Sequence, residues 1–269
     1  QRDLYRWLHD QAMRLANLGY TPNEIAAQVD LPPGLWDDYL CHGYYGTVSH
    51  NVRAVYQRYI GFYDGHPSSL DPYTPVEAGK RYVDFMGGIE ELLKKAKKAF
   101  EAGDYKWVAE VLRHAVFADP KNDNARLLQA DAFEQLAYQA ESGPWRDIYL
   151  TGAQELRNGS IDVPVLQRPR LEVAKGMTLG QIFDFLAVKV EGNSAVELSP
   201  MFVNWSFMDT GETARLELSN GTLHSKIGPS SESSDVALSS PRDVLEELIA
   251  TEYSLSQAIE DARIEVQGD

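Results

Sequence analysis

A chain of 269 residues is long enough for two domains of ordinary size, and 43% hydrophobic with 24% charged residues describes a folded sequence, not a disordered one. A net charge of −15 argues against nucleic-acid phosphate and anionic membrane surfaces as partners, and no apolar run approaches the length of a membrane span. Cys41 is the only cysteine, which excludes a disulfide framework and a thiolate metal cluster.

The chain opens on Gln1 with neither an initiator Met nor a signal-peptide pattern, and reads as a segment of something longer or a processed product. Leu4, Leu8, Ala12 and Leu15 form one stripe of a helix over residues 2–18 that Gly19 stops. Thr21, Pro22, Asn23 and Glu24 make a capping box with Pro at the first helical position, starting a short helix that runs to Val29 and ends at Leu31-Pro32-Pro33-Gly34. A short helix, a turn and GLWDDYL invite a helix-turn-helix reading. No Lys or Arg lies between Arg14 and Arg53 to hold phosphates, so DNA binding is rejected.

In residues 44–67, YYGTVSHNVRAVYQRYIGFYDGHP, a Gly-Thr turn opens a run that places Val48, Val52, Val55, Tyr56, Tyr59 and Phe62 on one helical face. The run ends at Gly61 and Asp64-Gly65. His50 and Arg53 are i,i+3 neighbours with Arg58 two turns on, so the spacing predicts a shared edge, with Asn51, Tyr63 and His66 nearby. The residues leave two readings open: an oxyanion site of Arg, His and phenol groups, or a buried aromatic helix with a polar rim. A His beside Asn in a Tyr-rich helix is costly packing unless its ring nitrogens have partners, so His50 leads the candidates.

Residues 71–79, DPYTPVEAG, read as an exposed linker. From Lys80 the pattern is helix, a Gly103-Asp104 turn, helix, an Asp119-Pro120 stop, and helix. Ala96 and Phe100 match the A-x₃-F element of a tetratricopeptide unit, but one and a half repeats are too few for a free solenoid, so this helical pair must bury its apolar face on something else. Lys94, Lys95, Lys97 and Lys98, with Glu90, Glu91 and Glu101 beside them, read as a solvated face. Ser142-Gly143-Pro144 breaks the helices, residues 145–157 add another, and Asn158-Gly159-Ser160 begins a shift into β-rich sequence, where the domain boundary is placed.

Beyond it, Leu179, Ile182, Phe183 and Leu186 mark the buried face of a helix over residues 178–188. Val203, Trp205 and Phe207 alternate with Phe202, Asn204 and Ser206, and Ala214, Leu216 and Leu218 with Arg215 and Glu217. Asn220-Gly221 is the strongest hairpin signal, with residues 223–227 as its return strand and 236–238 as another. Ser240-Pro241 opens a helix, Ser254 to Gln257 is a second capping box, and residues 264–266 are the last strand.

The phrase YGTVSHNVRAVYQRYIGFYDGHP resembles the segment that follows the metal-binding part of the alkyl sulfatases, metallo-β-lactamase-fold enzymes that cleave alkyl sulfate esters. The resemblance extends to QRDLYRWLHDQAMRLANLGYTPNEIA before it and to DVALSSPRDVLEELIA and SLSQAIEDARIEVQGD near the end. It implies a multidomain chain: an all-α, tetratricopeptide-like dimerisation domain over 1–157, then an α+β, sterol-carrier-like domain with a mostly antiparallel sheet over 158–269. Residues 1–70 would also pack on an upstream metallo-β-lactamase-like domain.

The resemblance further implies a homodimer that hydrolyses substrates such as dodecyl sulfate to alcohol and sulfate, and it favours a periplasmic or secreted location. A binuclear zinc centre would be held upstream by an H-x-H-x-D-H motif and later acidic and His ligands. The six histidines, His9, His42, His50, His66, His114 and His224, lack that spacing, so no metal ligand and no catalytic residue is expected in this chain, which should be inactive alone. The family's sulfate-gripping positions map to His50, Arg58 and Tyr63, with Asn51 and Arg53 as neighbours. Phe202, Trp205 and Phe207 are the candidates for lining the apolar tunnel of a sterol-carrier-like fold. The alternative is a stand-alone, non-catalytic protein that assembles through its helices and carries an apolar ligand in its tail. No nucleophile elbow accompanies a Ser-His-Asp set, and Gly87-Gly88 lacks the spacing of a phosphate loop.

Overall fold

The computed structural model describes residues 1–160, 168–230 and 232–268. The chain divides into two compact units, Gln1–Asp162 and Val163–Asp269.

The first unit is helical and has two separate cores. In one, α1 (Arg2–Asn17) buries Leu8, Ala12 and Leu15 against Ile25 of α2 (Pro22–Gln28) and Val52 and Tyr56 of the helix Val48–Tyr59. The capping box at Thr21 forms as the sequence predicts: Glu24 N–H donates to Thr21 Oγ1 while Thr21 N–H donates to Glu24. A short α3 (Pro33–Trp36) begins within the stretch read as a stop, because Pro33 sits at a first helical position where its missing N–H costs nothing. The helix Val48–Tyr59 is α4.

The second core gathers α6 (Ile89–Glu101), α7 (Tyr105–Ala118) and α8 (Asp123–Gln139), preceded by α5 (Pro75–Phe85) and followed by α9 (Gly143–Asn158). The expected linker over 71–79 is thus helical from Pro75 onward. Thr74 caps that helix by accepting Glu77 N–H, with Pro75 at the first position, a start signal that the Pro-rich composition concealed. Small residues let these helices close on one another: Ala115, Ala125 and Ala132 are fully buried, and a Cβ placed on Gly79 of α5 would lie 2.7 Å from the His114 carbonyl oxygen of α7. Gln129 satisfies its buried amide by donating to Ala109 O at 3.0 Å. Arg157 ties α9 to α8 through Asp131 and Glu134, both at 2.7 Å.

The second unit is a five-stranded sheet ordered β3-β2-β1-β4-β5. Its strands are β1 (Met201–Phe207), β2 (Thr213–Ser219), β3 (Thr222–Ile227), β4 (Val236–Ser240) and β5 (Glu265–Gly268). β1–β2, β2–β3 and β4–β5 are antiparallel, and β1–β4 is parallel. Asn220 and Gly221 turn the β2–β3 hairpin at φ +50° and +75°, the left-handed pair that a two-residue type I′ turn demands. One face of the sheet is covered by α10 (Leu171–Gly176), α11 (Leu179–Ala187), α13 (Arg242–Ala250) and α14 (Leu255–Glu260), the short α12 (Gly192–Ala195) preceding β1. Leu179, Ile182 and Phe183 from α11 and Val244, Leu245 and Ile249 from α13 meet Trp205, Phe207 and Leu216 from the strands.

A buried arginine joins these layers. Arg242 donates from its backbone N–H to Asp209 at 2.8 Å, from Nη1 to Glu212 at 2.8 Å and from Nη2 to Met177 O at 2.9 Å. Its Nε lies 3.5 Å from Glu246 Oε1 without forming a hydrogen bond.

Candidate functional site

Helix α4 exists where it does because Thr47 accepts His50 N–H at 3.0 Å and the apolar pair Val52 and Tyr56 faces α1 and α2. At roughly 100° per residue, His50 then falls nearly opposite that apolar stripe, and it is exposed. The argument that His50 would be costly packing does not apply to a residue on the solvent face. Arg58 is exposed and Tyr63 half-buried. The His50 ring, the Arg58 guanidinium and the Tyr63 hydroxyl have no hydrogen-bond or ion-pair partner among the described residues.

The neighbours are differently placed. Arg53 donates from Nε to Asn23 Oδ1 at 3.0 Å and from Nη1 to Ser49 Oγ at 2.8 Å, bracing α4 on α2. Arg53 and Arg58 lie roughly 140° apart around the helix, one on each side of His50, so the three do not share one edge. The Asn51 carboxamide packs on the preceding loop, where a Cβ on Gly46 would meet Asn51 Oδ1 at 3.1 Å. Tyr59 and Phe62, expected on the buried face, are exposed, Phe62 at 89%. Helix α4 ends at Tyr59 and the chain leaves the helical path beyond Ile60, so the 3.6-residue period no longer steers Phe62 toward the core.

Asn51 and Arg53 instead line a cavity of about 660 Å³ with Leu8, Trp36, His42 and Glu141. Its wall is the loop before α4, clamped to the α8–α9 corner. His42 Nδ1 lies 2.8 Å from Glu141 Oε1, Gly43 N–H donates to Glu141 Oε2 at 3.3 Å, Ser142 Oγ–H donates to Tyr45 O at 2.6 Å, and Gly143 N–H donates to Tyr44 O at 2.8 Å. The His42 ring also stacks on Tyr44 at 5.5 Å. Sequence reasoning missed this clamp because its partners are about a hundred positions apart and no local spacing signals the pairing. Nearby, His9 Nε2 lies 3.3 Å from Tyr59 OH, and His9 with Arg6 holds the Asp10 carboxyl below its ordinary range.

In the sheet unit Trp205, of the three tunnel candidates, borders a cleft of about 390 Å³ with Leu186, Leu248 and Leu255. Phe207 is 1% exposed, sealed in the core with its ring 5.5 Å from Trp205. Phe202 points to the other face, beneath the Arg215 guanidinium at 4.6 Å, because successive strand residues alternate between faces. Trp205 can sit at the cleft because its Nε1–H finds Ser240 Oγ at 2.9 Å.

Among the described residues no three His, Cys, Asp or Glu side chains converge as a metal ion would require, and no helix is long and apolar enough to cross a membrane. The described residues therefore do not by themselves form a zinc centre.

Two family models match the chain, one described as alkyl sulfatase dimerisation over residues 21–159 and one as alkyl sulfatase C-terminal over residues 169–269. All of this chain aligns at 43% identity with a linear primary-alkylsulfatase of Pseudomonas sp., at 44% with an (R)-specific secondary-alkylsulfatase of Pseudomonas sp., and at 40% with an alkyl/aryl-sulfatase of Saccharomyces cerevisiae. The chain spans 40% of the length of the first two relatives. It also superposes over its whole length on the stereoselective inverting sec-alkylsulfatase Pisa1 from Pseudomonas sp., with a TM-score of 0.93 and 43% identity, covering 42% of that chain.

Proposed function

The chain belongs to the alkyl sulfatase dimerisation family, and from that premise we propose that it is the C-terminal portion of an enzyme that hydrolyses alkyl sulfate esters to alcohol and sulfate. In this reading residues 1–157 dimerise and, over 1–70, pack on an upstream metallo-β-lactamase-like domain, while residues 158–269 form a sterol-carrier-like domain that holds the alkyl chain. A binuclear zinc centre belongs to that upstream domain, and no step of the reaction is assigned to it from these residues. The observation that carries the reading is a set of hydrogen-bonding groups on and just beyond α4, with His50 and Arg58 exposed and Tyr63 half-buried. These three sit on a capped helix and the loop after it, and their side chains have no partner among the described residues.

A sulfate monoester bears one negative charge over three oxygens, and donors fixed around it stabilise the charge that shifts onto the sulfate as the ester bond breaks. Arg58 supplies a permanent positive fork, His50 and Tyr63 supply single donors, and Asn51, held by the loop, fixes the start of the helix that carries them. In the complete enzyme His50→Ala lowers sulfate release from decyl sulfate by about 10²-fold; unchanged turnover removes His50 from the site. This chain alone, supplied with zinc, releases no sulfate from dodecyl sulfate, and turnover with bound metal would overturn this division of roles.

The cleft beside Trp205 also suits a stand-alone assembly protein carrying an apolar ligand. The two readings part on the polypeptide that carries this chain: only the first expects it to release sulfate from alkyl sulfate esters and to lose that activity on His50→Ala.

A further inference from the structure

The cleft of the sheet unit is apolar along Trp205, Leu186, Leu248 and Leu255, and its volume of about 390 Å³ is that of a small-molecule site. One cation lies among its described lining residues, Arg168. Arg168 Nη1 is shut off from solvent and lies 3.3 Å from Glu252 Oε1, yet it makes no hydrogen bond among the described residues. The Glu252 side chain is 98% exposed, so water competes for it and the pair holds the guanidinium weakly. The Arg168 side chain as a whole is 40% exposed, so its guanidinium can be approached at the cleft and can donate to an oxygen of a bound anion. Arg168 and Glu252 both line the cleft, so in a chain of net charge −15 its described lining is locally neutral and less repulsive to an anion than the chain as a whole.

We propose that this cleft takes a long-chain amphiphile by its anionic head. Arg168 donates to an oxygen of a sulfate or carboxylate group, while Trp205, Leu248 and Leu255 cover the tail. The uncharged alcohol of the same length offers no charge for Arg168 and is held less tightly. The site therefore sorts anionic ester from alcohol, which a merely apolar surface does not do. The inference rests on the alkyl-holding role proposed above for this unit and adds the head-group selection to it.

The test is calorimetric titration of the full chain with decyl sulfate, decanoate and 1-decanol, each below its aggregation concentration. The wild type should bind both anions about tenfold or more tighter than the alcohol, the increment of a hydrogen bond to a charged group. Arg168→Gln should bring the anions down to the alcohol's affinity and leave the alcohol unchanged. Leu255→Gln, at an exposed position that leaves the fold intact, should weaken all three. Decyl sulfate binding tighter than decanoate identifies an alkyl sulfate site, and the reverse order an alkyl carboxylate site. Equal affinity for alcohol and anions in the wild type, or an Arg168→Gln chain that keeps its anion preference, overturns the head-group inference alone. Failure of all three ligands to bind overturns the alkyl-holding role beneath it.

Discussion

The helical and sheet units solve the same burial problem in different ways. The sheet unit closes one core with large side chains, Phe183, Trp205 and Phe207 among them, and cross-links it through the buried Arg242. The helical unit packs two smaller cores rich in alanine and leaves large aromatics outside, with Phe85 at 90% and Tyr45 at 82% exposure. Isolated exposed apolar residues are ordinary, but a dense set on one unit marks a surface meant to be covered. A fold built from pairs of short helices has too little interior for its own aromatic residues, whereas a sheet with helices on one face encloses them. The dimerisation family model falls on the helical unit, where this uncovered surface is.

The contrast can be broken most severely at Arg242. Arg242→Ala leaves the carboxylate of Glu246 buried without its ion pair and should destabilise the sheet unit by about 3–5 kcal/mol. Hydrogen exchange read over each unit separately should show the loss in β1, β2 and α13 and spare the helical unit. The matching weak point of the helical unit is its closest helix approach. Gly79→Ala forces a methyl group onto the α7 backbone and should cost about 1–3 kcal/mol, read as faster exchange along α5 and α7.

Phe62→Ser and Phe85→Ser sharpen the comparison in the opposite sense. Both positions are exposed in the single chain, so the stability of the dissociated chain should change by no more than about 0.5 kcal/mol. Sedimentation of the same variants should show weakened self-association; unchanged association together with unchanged stability would mean these aromatics do not form the dimer face.

The smallest expected effect is in pH. Burial between α5 and α7, reinforced by Arg113, lowers the His114 pKa. The unfolded chain then takes up the proton first, so the helical unit should lose stability as pH falls below roughly 6.5, and His114→Gln should flatten that slope. In the sheet unit the hydrogen bond from Arg263 at 2.6 Å lowers the Glu247 pKa despite some desolvation. That contribution is present above roughly pH 4.3 and disappears only as pH falls through the lower folded value, so the sheet unit should hold where the helical one has begun to weaken.

What could be read in the residue order was whatever acts within a turn or across a hairpin. The capping boxes at Thr21 and Ser254, the Asn220-Gly221 turn, the buried stripe of α1 and the alternation in β1 and β2 each depend on groups two to four positions apart. The mostly antiparallel sheet following a helical part was expected from the family resemblance, and only its β2–β3 hairpin was signalled by neighbouring residues. The candidate site was legible only as a set of residue types around α4. That Arg53 reaches Asn23 as well as its own helix's Ser49, while His50 and Arg58 have no partner among the described residues, depends on where α2 lies, which no local spacing records.

Tertiary structure alone decided which distant groups meet. His42 finds Glu141 from about a hundred positions away, Arg242 reaches Glu212 and Met177, and Arg168 comes to an apolar cleft made by α11, β1 and α13. It also decided which aromatics are sealed and which face water: Phe207 and Phe202, five residues apart on one strand, end on opposite sides of the sheet. Periodicity assigns a residue to a face of its own element, but burial depends on whether another element covers that face, and that is settled only when the whole chain has packed.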